Sequence, residues 1–206
     1  MENVIITIAR QYGSGGKTLG KALAKNMGIN CYDRELMRLA SDESGIAEGM
    51  FGAADEKLKK SPLLRITKNV YQGQLIPPDD DDFTSSDNLF NYQAKIIKQL
   101  AEAESCVIIG RCADYVLKDK KNVVSVFVHA PKDYCMKLAK ERLGYPDKEV
   151  EKYIARTDKY RAEYYKYHTG NTWYDARNYD LCLDSSKLTQ DEAIAVIKDY
   201  IKTRFH

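Results

Sequence analysis

The first apolar block of the chain is residues 4–8, Val-Ile-Ile-Thr-Ile. A short β-branched run without polar alternation is the pattern of a strand covered on both faces. Polar and glycine positions follow at Gly13-Ser14-Gly15-Gly16. After them Leu19, Ala22 and Leu23 recur at helical spacing until Gly28. The chain therefore opens with a strand, a glycine loop and a helix. Apolar runs at 106–109, 123–128 and 179–183, and a shorter one at 30–32, predict further strands. Between them the apolar positions take helical spacing over 34–44, 89–103, 132–143, 147–167 and 189–203. Thr189 and Glu192 have the spacing of a capping box at the start of the last helix. Strands alternating with helices predict an α/β fold with a parallel sheet and right-handed crossovers.

Residues 45–88 break that rhythm. Ser61-Pro62, Pro77-Pro78, the aspartates at 79–82 and Ser85-Ser86 mark loops. This stretch is expected to be an insertion, a flexible flap over the sheet. Successive aspartates repel and extend, so 79–82 reads as solvated loop rather than a metal site. A length of 206 residues suits one domain carrying such an insertion. Lys and Arg total 32 against 30 Asp and Glu, a net charge of +2, so there is no global basic footprint for nucleic acid. No apolar stretch nears the roughly 18 residues of a membrane span, and the amino terminus lacks the charged start of a signal peptide. The cysteines Cys31, Cys106, Cys112, Cys135 and Cys182 are scattered and odd in number, with no C-x-x-C. Reduced thiols in a cytoplasmic protein are the expectation. Neither a nucleic-acid nor a membrane partner is expected.

A buried strand, a glycine loop and a helix together make an anion site. Glycines let backbone N–H groups approach phosphate, and the helix start adds positive dipole. Two registers fit. Gly16-Lys17-Thr18 matches the end of G-x-x-x-x-G-K-[ST], but Gln11 stands where the first glycine belongs. The pattern G-x-x-G-x-G-K-G-T of nucleoside monophosphate kinases sets Gly13, Gly15 and Thr18 on two of its glycines and its threonine. Arg10 then falls on the first glycine, Gly16 on the lysine and Lys17 on the glycine after it. Lys17 and Arg10 thus compete for the role of phosphate cation, and both registers stay open.

Three segments together resemble the cytidylate kinase-like family. They are Ile6-Thr7-Ile8-Ala9-Arg10-Gln11-Tyr12-Gly13-Ser14-Gly15-Gly16, Tyr32-Asp33-Arg34-Glu35-Leu36 and Val107-Ile108-Ile109-Gly110-Arg111-Cys112-Ala113-Asp114-Tyr115. The resemblance covers most of the chain and is weakest from 50 to 88. It implies a P-loop kinase, a three-layer α/β/α fold with a parallel sheet in the order 2-3-1-4-5, with ATP and Mg²⁺ as cofactors. In cytidylate kinases an aspartate and an arginine after the second strand contact or support the acceptor nucleotide. Asp33 and Arg34 lie in the comparable segment, although the longer D-x-G-x-x-Y-R pattern is absent. Gly110-Arg111 match a glycine–arginine pair that holds the acceptor phosphate. Independently of the resemblance, Arg111 leaves the C-terminal end of a strand, where α/β folds bind ligands, and its planar fork suits phosphate. The alternative for Arg111 is an ion pair with Asp114.

Arg156-Thr157-Asp158-Lys159-Tyr160-Arg161 resembles the R-D-D-R-D-R lid of cytidylate kinases, with Arg156, Asp158, Lys159 and Arg161 fitting by class. The lid region is expected over 142–178, with Arg142 stacking on adenine or reaching a phosphate. The tyrosine–lysine stretch after the lid fits core packing as well as base stacking. His129 and His168 read as structural histidines. The resemblance gives ATP to Gly13, Ser14, Gly15, Gly16, Lys17 and Thr18. Magnesium would be held by phosphates, water and the Thr18 or Ser14 hydroxyl, with help from Asp33. The expected function is ATP-dependent phosphoryl transfer to a nucleoside monophosphate such as CMP. Arg111 would orient the acceptor, and Arg156 and Arg161 would stabilise the transferred group. Two alternatives stand beside it: a P-loop kinase for a non-nucleotide small molecule, and an inactive nucleotide-binding regulator. The acceptor and the oligomeric state are not fixed by the sequence.

Overall fold

The computed structural model describes residues 3–52 and 73–205. In chain order the elements are β1 (Ile5–Arg10), α1 (Gly16–Met27), β2 (Asn30–Tyr32), α2 (Glu35–Ser44), α3 (Ser86–Ala103), β3 (Cys106–Ile109) and the single-turn α4 (Ala113–Val116). Then come β4 (Val123–His129), α5 (Lys132–Leu143), α6 (Asp147–Thr169), β5 (Leu181–Asp184) and α7 (Gln190–Phe205). The strands form one parallel sheet in the order β2-β3-β1-β4-β5, as the family resemblance implies. β1 is central and pairs with both β3 and β4, which explains its unbroken apolar run.

Side chains alternate across β1. Ile6 and Ile8 join Leu19, Leu23, Ile194 and Ile197 under α1 and α7. Ile5 and Ala9 join a larger cluster with Leu36, Phe90, Tyr165 and Trp173, contributed by α2, α3, α6 and the segment after it. The sheet therefore has helices on both faces. Leu23 is fully buried, so truncating it to alanine should cost about 2–5 kcal/mol of stability.

Several element boundaries move outward from the sequence expectation. β1 runs on to Arg10 because its ladder with β4 continues to Val128. α3 starts at Ser86, three residues early, because Ser85 caps it by accepting from the Asn88 N–H at 3.2 Å. The predicted capping box closes: Thr189 N–H donates to Glu192 Oε2 at 2.8 Å, and Glu192 N–H donates to Thr189 Oγ1 at 3.3 Å.

The expectation of a flap over 45–88 needs correction at its two ends. Ile46 and the fully buried Phe51, in a helical turn at 48–52, are part of the core. On the far side, Asn88 accepts from Ile76 N–H at 2.9 Å and donates to the carbonyls of Ile76 and Phe83. An apolar anchor and a buried amide side chain fix these ends. The Ser61-Pro62 loop and the rest of 53–72 lie outside the described residues. Asp80 caps a 3₁₀ turn over Asp81–Thr84, and the exposed aspartates behave as a solvated loop. Among the described residues no helix is long and apolar enough to cross a membrane.

Candidate functional site

The glycine loop joins β1 to α1 and is held from several sides. Gly13 and Gly15 take left-handed conformations, with φ of 81° and 76°. A Cβ on Gly13 would lie 2.4 Å from the Cys135 carbonyl oxygen, so only glycine lets the loop rest on α5. Gln11 Oε1 accepts from Ala130 N–H at 3.1 Å, and Ser185 Oγ donates to the Ser14 carbonyl at 2.7 Å. α1 starts at Gly16 with no side-chain cap, which leaves its first turn to attract an anion. A hollow of about 350 Å³ opens over the loop, lined also by Lys17, Thr18 and Arg142.

A second hollow, of about 680 Å³, lies beyond it between the ends of β1 and β3 and helix α6. Its polar lining includes Asp33, Arg111 and Arg156, and its aromatic walls include Tyr153, Tyr160 and Trp173. Arg10 and Arg161 line both hollows. The Arg10 guanidinium lies against Gly110, where a Cβ would sit 2.3 Å from its Nη1. Burial, then the charges of Arg161 and Arg111, bring Arg10 down to about 9 against the partial support of Asp33 and Asp158. It stays protonated at neutral pH, in a cluster of cations that favours an added anion.

Lys17 is turned to Asp33 in an ion pair of 2.5 Å. Burial raises the Asp33 carboxyl, but the Lys17 bond and charge, with Arg10 and Arg111, outweigh it and hold the group below the usual carboxylate range. Arg161 Nη1 donates to the Arg10 carbonyl at 2.9 Å and to Asp158 Oδ1 at 3.2 Å. Burial is the main pull lowering the Arg161 pKa, opposed by Asp158.

Arg111 reaches the larger hollow through an unusual turn. Gly110, Arg111 and Cys112 follow one another at φ of 75°, 60° and 53°. Left-handed conformations at the two non-glycine positions cost on the order of 1–3 kcal/mol each and persist where surrounding structure enforces them, often at ligand sites. Arg111 Nη2 stands 3.4 Å from Met37 Sδ. Asp114, considered above as its ion-pair partner, accepts from Tyr165 Oη at 2.6 Å. Desolvation pushes the Asp114 carboxyl up to about 6, with the Tyr165 bond opposing.

The structure thus brings Arg10, Asp33, Arg111, Arg156 and Arg161 to one hollow and Gly13, Gly15, Gly16, Lys17, Thr18 and Arg142 to the other. Ser14 stays inside the loop. Its Oγ donates to the Gln11 carbonyl at 2.9 Å, which turns it away from the role of metal hydroxyl. Arg34 is exposed at the start of α2 and lines neither hollow, because the chain turns into the helix there. Lys159 is exposed and faces Glu163. Arg156 sits at the rim, 5.5 Å from the Tyr153 ring centroid. Sequence reasoning missed the wall formed by Tyr153, Tyr160 and Tyr164, although 153, 156, 157, 160, 161 and 164 share one helical face. Beyond that wall His168 stacks on Phe90 with ring centroids 3.9 Å apart, so the lower part of the tyrosine stretch is core.

A parallel sheet in this order, a glycine loop entering α1 and a cation-lined hollow at the strand ends define a P-loop kinase fold, the architecture of nucleotide-dependent phosphoryl transfer. Within that class the chain belongs to the cytidylate kinase-like family, whose model matches residues 5–187. It is similar to a solved uncharacterized protein from Eubacterium ventriosum ATCC 27560, at 28% identity and a TM-score of 0.71, covering 97% of this chain and 99% of that one. Shikimate kinase from Bacteroides thetaiotaomicron shares the fold at 14% identity and a TM-score of 0.55, covering 97% and 98%. TT1252 from Thermus thermophilus does so at 15% identity and 0.51, with the same coverage. No curated protein matches the chain.

Proposed function

We propose that the protein transfers the γ-phosphoryl group of Mg-ATP to a nucleoside monophosphate, with CMP as the first acceptor to test. One observation carries the reading: a glycine-loop hollow and an arginine-lined hollow share Arg10 and Arg161. A phosphoryl group crossing from one to the other passes between those two cations. Charge spread over its equatorial oxygens is what preorganised guanidinium groups stabilise. Gly13, Gly15 and Gly16 cradle the ATP phosphates and Arg142 borders the base side. Arg111 and Arg156 hold the acceptor phosphate, and the wall of Tyr153, Tyr160 and Tyr164 suits a planar base. An acceptor that is already a phosphate needs no dedicated base.

We give the bridging role to Arg10, because the Lys17 ammonium is engaged by Asp33. Among the described residues no three His, Cys, Asp or Glu side chains converge to hold a metal. That donor set fits Mg²⁺ arriving with ATP, held by phosphate, water and the Thr18 hydroxyl, with Asp33 the nearest carboxylate candidate. Held there, the metal would supply positive charge to neutralise the ATP phosphates. Residues 142–178 act as the lid.

The test is ADP formation from Mg-ATP across a panel of nucleoside monophosphates, with a no-acceptor control. Stimulation by CMP or another member supports the reading. A second reading, nucleotide binding without turnover, is favoured by the same Lys17–Asp33 pair, since a lysine held there is not available to phosphate. ATP binding with no stimulation by any nucleotide or other small acceptor would favour it, whereas stimulation by a non-nucleotide acceptor would keep the kinase and change its substrate.

A further inference from the structure

We propose that Asp158 is a positioning residue that clasps the lid helix α6 to the glycine loop and sets Arg161 at the junction of the two hollows. The inference rests on the reading of that junction as the transfer point. Asp158 is 7% exposed. A carboxylate so buried is costly unless it is paired and hydrogen-bonded. It has both kinds of partner on a single oxygen. Oδ1 accepts from the Tyr12 backbone N–H at 2.8 Å and from Arg161 Nη1 at 3.2 Å. Arg161 in turn donates to the Arg10 carbonyl at 2.9 Å. Tyr12 packs edge-on against Tyr153 with centroids 5.0 Å apart, and the Arg161 guanidinium lies 5.8 Å from the Tyr12 ring. Residues 146 positions apart are thereby joined through main-chain groups of the loop.

The chemistry of that bond gives it a consequence. Backbone N–H groups of such a loop are the donors that phosphate uses. The Tyr12 N–H belongs to Asp158, so phosphate is left to later N–H groups of the loop, and the docked α6 is one of the holds on the loop's entry, beside the bond from Ala130 N–H to Gln11. The face of α6 that carries Arg156, Tyr160 and Arg161 also walls the acceptor hollow. Acceptor binding against that face therefore favours the docked helix, and the docked helix favours the loop that holds ATP. Coupling of this kind is reciprocal.

Two substitutions separate the two bonds. Asp158→Asn keeps an oxygen for the Tyr12 N–H and removes the charge beside Arg161. Asp158→Ala removes both. Three quantities are measured on the full chain: hydrogen exchange at the Tyr12 amide, the Kd for Mg-ATP, and kcat with the acceptor found in the panel, with Tm recorded for each variant. For Asp158→Ala, exchange at Tyr12 should rise at least about tenfold and ATP should bind about tenfold more weakly, as expected for a lost buried bond to a charged group. Its kcat should fall about 100-fold through misplacement of Arg161. For Asp158→Asn, exchange and Kd should stay within about threefold of the parent while kcat falls about tenfold, the signature of a lost charge with the loop intact.

Wild-type protection of the Tyr12 amide in Asp158→Ala overturns the clasp. So does a fall in Tm in both variants with Kd and kcat unchanged, which describes a strut. If Asp158→Ala does not fold, Asp158→Asn decides: normal Tm with reduced kcat supports the role of the charge, and unchanged kcat overturns it. If no acceptor stimulates the wild-type protein, the proposed function fails on its own, and Tyr12 exchange and ATP affinity still decide the clasp.

Discussion

The two hollows that meet at Arg10 and Arg161 are built by different means. The hollow over the glycine loop has a floor of backbone. Its loop owes its shape to left-handed glycines, to the missing Cβ of Gly13 against Cys135, and to bonds from Gln11 and Ser185. The larger hollow is made of side chains drawn from β1, the turn before α2, the turn after β3 and one face of α6. A backbone site tolerates little change in local sequence, because each glycine answers a steric demand. A side-chain site can change its ligand by exchanging walls while the fold stays the same. Under the proposed function, the loop side would then hold the nucleotide and the side-chain walls would set the acceptor.

The sharpest way to break that division is to remove a group that serves both sides. Arg10→Ala should lower kcat/KM by about 10³-fold or more, the scale of a guanidinium acting on a transferring phosphoryl group. Its effect should appear in kcat for every acceptor. A loss confined to the KM of one substrate would move Arg10 out of the junction. Next in size is Arg111→Ala. Here the acceptor KM should rise about 100-fold, while the Kd for Mg-ATP stays within about threefold, because the lost bidentate contact is made to the acceptor alone. Equal loss of ATP binding in isothermal titration would erase the distinction between the hollows. Lys17→Met should matter less, about tenfold in kcat/KM, because its ammonium is spent on Asp33. A loss as large as that from Arg10→Ala would restore Lys17 to the phosphate and reverse the assignment of the bridging cation.

The same division explains what could be read from the sequence. Gly13, Gly15, Gly16 and the flanking strand and helix form a local pattern, and local patterns announce themselves. The exit of Arg111 from β3 was legible for the same reason, since a strand end followed by glycine and arginine is a short-range feature. Asp158 was visible only as an acidic member of a lid motif. Its bond to Tyr12 depends on α6 crossing the end of β1, which no spacing within either segment encodes. Ile46 and Phe51 were hidden inside a stretch rich in loop signals, and their burial is decided by α2 and α3 closing over them. Arg34 misled because adjacency to Asp33 says nothing about direction: the chain turns there, and one side chain enters the hollow while the next faces solvent.

The last effect expected concerns stability rather than turnover, and it falls beyond the tyrosine wall of the larger hollow. His168 lies near the C-terminal end of α6, stacked on Phe90, and its Nε2 has no hydrogen-bond partner among the described residues. Burial brings it down to about 3. The unfolded chain takes up that proton near the ordinary pKa of about 6.5, while the folded one refuses it, so acidification favours unfolding between those values. From pH 7 to pH 5 the loss amounts to about 2 kcal/mol. Asp114 works the other way. Its folded value of about 6 lies above the ordinary carboxyl value, so it adds stability as the pH falls through that range and loses it as the pH rises. His168→Phe keeps the aromatic stack and removes the proton site. Thermal melts should find the wild type less stable at pH 5 than at pH 7, and the variant level or slightly more stable, with Asp114 left to act alone. ATP affinity should be the same in both proteins, because the glycine loop makes no contact with this stack. A variant with the wild-type pH slope would clear His168 of the effect, and a variant with altered ATP binding would tie the C-terminal end of α6 to the glycine loop.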